Sequence, residues 1–130
     1  MSQSKAVRLT EKQVAAQLRL AREAFRNRGW LAGSGWVSSD FGALGLVSHE
    51  EQTAAIRKIL AEIAERDYCG PHPPNHLAGE PKCKDLRLLQ FTWVSESFQF
   101  RMMYFKFCVS GQRLFVLRLH PAYGPNRFNG

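Results

Sequence analysis

The stretch from Leu86 to His120, LRLLQFTWVSESFQFRMMYFKFCVSGQRLFVLRLH, limits what this chain can fold into more than any other. Three runs rich in aromatic, β-branched and other apolar residues are broken by Ser-Glu-Ser and by Ser-Gly-Gln, a composition that suits strands joined by tight connections. The reading is a three-stranded antiparallel meander over roughly Leu86–Val94, Phe98–Val109 and Arg113–His120. Gly111 supplies the positive φ that a short hairpin turn needs. On the middle strand, alternation puts Phe98, Phe100, Met102, Tyr104, Lys106 and Cys108 on one face. It puts Gln99, Arg101, Met103, Phe105, Phe107 and Val109 on the other. Both faces are mostly apolar, so this strand is expected to be central and covered on both sides. Arg87, Arg101 and Arg118 interrupt the pattern, and an arginine in such a place must snorkel, pair or do chemistry.

Upstream, two capping boxes mark helix starts. Thr10-Glu-Lys-Gln opens a helix whose apolar stripe is Val14, Leu18, Ala21 and Phe25, running to about Asn27 before Gly29 ends it. Its other side carries Lys12, Arg19, Arg22, Arg26 and Arg28, read as a solvated face with phosphate tracking as the alternative. Ser48-His-Glu-Glu opens a second helix with Ala55, Ile56, Ile59, Leu60 and Ile63 inward, through about Arg66. The Gly/Ser-rich segment between them, residues 29–47, holds Trp30 and Trp36. Its glycines do not follow the phosphate-binding fingerprint, so it reads as a loop, with room for a short strand, whose aromatics pack onto the domain. The expected architecture is α+β: two N-terminal amphipathic helices packed on one face of a C-terminal antiparallel meander of three or more strands. Residues 1–9 read as a disordered leader, and 10–130 as a single domain.

Charge narrows the class of partner. The 130 residues carry a formal net charge of +7, which favours an anionic partner such as nucleic acid or an acidic protein. No run resembles a signal peptide or a membrane span, and three cysteines without a framework spacing favour a reducing cytoplasm. Cys69, His72, His76 and Cys83 stand at C-x2-H-x3-H-x6-C in a proline-broken connection. Those residue types could close a tetrahedral zinc site, but the spacing is not a diagnostic one, and no metal or other cofactor is expected.

The order of elements after Glu50 resembles a known family. An amphipathic helix is followed by His76-Leu77-Ala78-Gly79, then by Lys82-Cys83-Lys84-Asp85-Leu86-Arg87. A hairpin then carries Phe100-Arg101-Met102-Met103-Tyr104, and the apolar strand Leu114–Leu119 leads into a polar tail. Over about Glu50 to Phe128 this is similar to the C-terminal half of the RelE/HigB-type toxins of bacterial toxin–antitoxin systems, in the ParE/RelE superfamily. The resemblance implies a small basic ribonuclease that cuts messenger RNA, commonly on the ribosome, and is neutralised by a cognate antitoxin. It implies roles for Lys82, Lys84, Arg87 and Arg101 by motif position, and for His120 and Tyr123 by their place after the last strand. The chain departs from the family where a first strand is usual, in the segment with two tryptophans, and in a tail without a Lys/Arg cluster.

Metal-free RNA cleavage needs a group to take the 2′-OH proton, cations around the phosphorane, and a donor to the leaving 5′-oxygen. Arg87 and Arg101 suit the phosphate, being always charged and able to bond two oxygens at once. Lys82 and Lys84 can add point charge or, among like charges, act as a base, and Arg118 adds charge along the RNA. His120 is the residue type that titrates near neutrality, and Tyr123 can stack on a base or donate a proton. The expectation is therefore a metal-independent endoribonuclease with catalytic Arg87, Arg101, His120 and Tyr123. The alternative is a non-catalytic basic module that binds nucleic acid or docks an acidic partner. A sheet apolar on both faces also hints at a homodimer.

Overall fold

Both capping boxes form, and they set where the long helices begin. A computed structural model of the chain describes residues 8–70 and 88–122. Helix α1 spans Glu11–Arg28: the Thr10 hydroxyl accepts from the Gln13 amide, and the Gln13 side chain accepts from the Thr10 amide at 2.8 Å. Gly29 ends it at φ +75°, its N–H returning to the Phe25 carbonyl. Helix α3 spans His49–Glu62 behind the reciprocal Ser48–Glu51 pair. Val14, Leu18, Ala21 and Ala24 of α1 meet Ile56, Ile59 and Leu60 of α3 in one core with Phe91, Phe105 and Phe107 of the sheet.

Arg22, read above with the outer basic face of α1, turns inward instead. It donates to the Leu60 and Ile63 carbonyls at 2.8 and 2.9 Å, satisfying orphan acceptors at the end of α3. Leu9 is buried in the core and its amide donates to the Tyr68 hydroxyl, so packing begins before the first helix. The rest of the expected leader, residues 1–7, lies outside the described residues.

The segment read as a loop is structured. It contains strand β1, Trp30–Ala32, and a third helix, α2, over Val37–Ala43. Among the described residues the chain therefore has three α-helices rather than two. Trp30 packs down as expected, against Phe41 and His49, with its indole N–H on the Thr53 hydroxyl. Trp36 does not: it is 63% exposed.

Strands β2 (Leu89–Ser95), β3 (Arg101–Ser110) and β4 (Arg113–Pro121) form the expected antiparallel meander. Beside β4 lies β1, paired parallel, in the order β1-β4-β3-β2, so the sheet is mixed rather than a plain meander. Connectivity permits the parallel pairing, because α2, α3, β2 and β3 lie between β1 and β4 in the chain. The middle strand starts at Arg101, not Phe98. Phe98 ends a short 3-10 turn and is buried in the main core. Met103 through Cys108 are all buried, so the double-faced apolar pattern is satisfied within the chain itself.

One irregularity re-aims the end of β4. Lys106 pairs with Arg118 while Phe107 pairs with Val116, which leaves Leu117 as an extra residue. Leu114, Val116 and Leu119 belong to the core on the helix side, whereas Leu117 joins Leu88 and Cys108 in a smaller cluster. A bulge of this kind reverses the alternation beyond it. It sets His120 opposite Tyr104.

Candidate functional site

Strand β1 pairs with β4 only as far as Val116, leaving the last turn of that strand with an unpaired edge. Side chains from the segment before and within α2 complete it. The Ser34 hydroxyl donates to the Leu117 carbonyl at 2.6 Å, and the Asp40 carboxylate accepts the Leu119 amide at 2.9 Å. Asp40 is 7% exposed, and a buried carboxylate requires a counter-charge. Arg118 supplies it through Nε at 2.8 Å and Nη2 at 3.2 Å, while its guanidinium lies 5.6 Å from the centre of the exposed Trp36 ring.

Beside this pair opens a surface cavity of about 330 Å³. Its walls are Asp40, Ala43 and Leu44 of α2, Arg101 at the start of β3, and Arg118, His120 and Pro121 at the end of β4. Arg101 is exposed and donates through Nε to the Phe98 carbonyl at 3.2 Å. That bond orients the side chain and leaves the work of gripping an anion to the terminal nitrogens of the guanidinium. The His120 ring lies 5.0 Å from that of Tyr104, and its Nδ1 is 2.8 Å from the Pro121 carbonyl. A carbonyl can only accept, so Nδ1–H is the donor of this hydrogen bond. Tyr104 is itself fixed: its hydroxyl donates to Gln90 at 2.6 Å, and Gln90 donates to the Gly70 carbonyl.

Of the residues singled out in the sequence, Arg101, Arg118 and His120 meet at one cavity. Arg118 arrives there with its charge met by Asp40. Lys82, Lys84, Arg87 and Tyr123 lie outside the described residues. So do His72, His76 and Cys83 of the zinc set; Cys69 is described and exposed. Among the described residues no group of His, Cys, Asp and Glu is arranged to hold a metal, and no helix is long and apolar enough to cross a membrane.

Asp40, Trp36 and Tyr104 were not legible as site residues. Asp40 and Trp36 sit in a Gly/Ser-rich segment without helical periodicity, and Tyr104, though part of the Phe100–Tyr104 motif, was given no role of its own. The only available signal for Asp40 was its being an acid followed by Phe41 in a stretch otherwise free of charge.

The chain matches no protein-family model, no curated protein and no solved structure.

Proposed function

We propose that this chain is a metal-independent endoribonuclease of the RelE/HigB type, acting in the cytoplasm on messenger RNA at the ribosome and restrained by a cognate antitoxin. The observation that carries the reading is one open cavity lined by an exposed arginine and a histidine whose ring is held through Nδ1 by the Pro121 carbonyl. On this reading Arg101 bonds the oxygens of the scissile phosphate, where its fixed charge counts most as the phosphorane forms. The 2′-oxygen bonds the phosphorus as its proton passes to Lys82 or Lys84, and His120 Nε2 protonates the leaving 5′-oxygen, with Tyr123 as the second candidate donor. Lys82, Lys84 and Arg87 add charge around the same phosphate, as the motif they share with those toxins implies. Tyr104 is a positioning residue that holds the His120 ring.

One observation favours the alternative, a basic module that binds without cutting. Asp40 cancels the charge of Arg118 at the cavity wall, and Trp36 stands exposed against that arginine as a stacking surface would. Cleavage of a translated messenger in a cell-free system separates the two. Loss of cuts in both Arg101→Ala and His120→Ala, with RNA affinity retained in His120→Ala, supports the ribonuclease. Binding without cuts by the wild-type chain, on free and ribosome-bound RNA alike, supports the module.

A further inference from the structure

The connection from β2 to β3 holds two consecutive residues in the left-handed region without a glycine: Gln99 at φ +62° and Phe100 at φ +60°. Side chains with a Cβ avoid that region, and for a bulky aromatic it is a genuine outlier. Such a conformation persists only where the surroundings over-determine it. Here they do. The Glu62 carboxylate, at the end of α3, accepts from the Trp93 indole at 2.8 Å, the Ser95 hydroxyl at 2.6 Å, and both the amide and the hydroxyl of Ser97. Phe98 is buried in the core on one side of the turn and Met103 on the other, and the Phe100 amide returns to the Ser95 carbonyl at 2.7 Å.

What this rigid turn presents is an aromatic ring, 69% exposed, one residue before Arg101 of the cavity. Met102 and its cross-strand partner Val94 are exposed as well, at 46% and 56%. We propose that Phe100 is the stacking platform for a base next to the phosphate held by Arg101. Met102 and Val94 form the apolar shelf beside it. This inference rests on the RNA reading above and names the subsite that reading lacks.

Three facts choose a base over a protein partner. Three apolar side chains interrupted by an arginine are far fewer than the roughly 20–30 residues a side that a stable protein interface uses. One aromatic ring beside one cation does match the repeat of single-stranded nucleic acid, a flat base followed by a phosphate. The net charge of +7 has the sign a polyanion requires.

The test uses the full chain with short single-stranded RNA oligonucleotides, and with the same oligonucleotides carrying one abasic position moved along the strand. Phe100→Leu keeps size class and backbone demand but removes the ring; Phe100→Trp restores one. Phe100→Leu is expected to weaken binding about 10-fold, to raise KM rather than lower kcat, and to be rescued by Phe100→Trp. One abasic position should weaken the wild-type chain about as much and leave Phe100→Leu unaffected. Unchanged affinity in Phe100→Leu while the wild type still cuts overturns the subsite and spares the ribonuclease. A Phe100 effect on binding in a chain that never cuts does the reverse. Loss of a self-association in Phe100→Leu, seen by sedimentation with RNA affinity unchanged, would assign the patch to a protein contact and overturn the proposal.

Discussion

Two turns of the same sheet solve one geometric problem in opposite ways. The β3–β4 hairpin needs positive φ at both central residues and has Gly111 at +58° followed by Gln112 at +64°, both exposed. This is the primed turn that matches strand twist, and glycine adopts it without strain. The β2–β3 connection needs the same backbone at Gln99 and Phe100 and uses no glycine. The first turn is stable on its own chemistry. The second is held from outside by one carboxylate of α3, and in exchange it can present a ring where glycine would present nothing. Local propensity explains the first, and tertiary contacts the second.

Removing the outside support should break the comparison most visibly. Glu62→Ala leaves the Trp93 indole, the buried Ser95 hydroxyl and the Ser97 amide without their acceptor, and is expected to cost about 3 kcal/mol in urea unfolding. The same carboxyl gives the effect a pH dependence. Burial pushes its pKa up, but hydrogen bonds from Ser95, Ser97 and Trp93 outweigh that, so it titrates below its ordinary value of 4.5. A carboxyl depressed in the fold contributes stability that is complete above its unfolded pKa and is lost as pH falls through the folded one. The difference in urea midpoint between wild type and Glu62→Gln should thus be widest at neutral pH and narrow progressively below 4.5.

Both turns should favour glycine, so removing it from one and adding it to the other should have opposite signs. Gly111→Ala, at φ +58° with open space around the added Cβ, is expected to destabilise by about 1 kcal/mol from backbone strain alone. Gln99→Gly relieves the same strain on the other turn. It is expected to stabilise by about 0.5 kcal/mol, since the gain is partly offset by the entropy glycine loses on folding. Urea midpoints of the two variants check both. A destabilising Gln99→Gly would mean that the Gln99 side chain, rather than Glu62, holds the turn.

Elements that rest on short-range chemistry were readable in advance. Thr10 with Gln13 and Ser48 with Glu51 cap their helices as residues three apart must, and Gly29 and Gly111 sit where positive φ is required. The central strand was readable because its apolar residues run on both faces, a pattern that only burial on both sides explains. The segment 29–47 was readable only as a loop with room for a short strand and packed aromatics; helix α2 was not foreseen. A strand of three residues and a helix of seven are too short to show a period, and both exist because β4 offers them an edge.

By itself, then, the sequence determined the long helices, the three-strand meander and an excess of positive charge, all properties set by neighbours in the chain. Only the tertiary structure decided which charges remain at the cavity and which way they face. Arg22 reads as part of a solvated helical face and Arg118 as a break in an apolar strand, yet one is turned onto the end of a helix and the other onto Asp40, because each lies beside a polar group that burial leaves without water. His120 faces Tyr104 because of one extra residue at Leu117, a bulge whose position depends on how two strands register against each other. No local pattern records that register. It is fixed by the core that Phe105, Phe107, Val116 and Leu119 fill together.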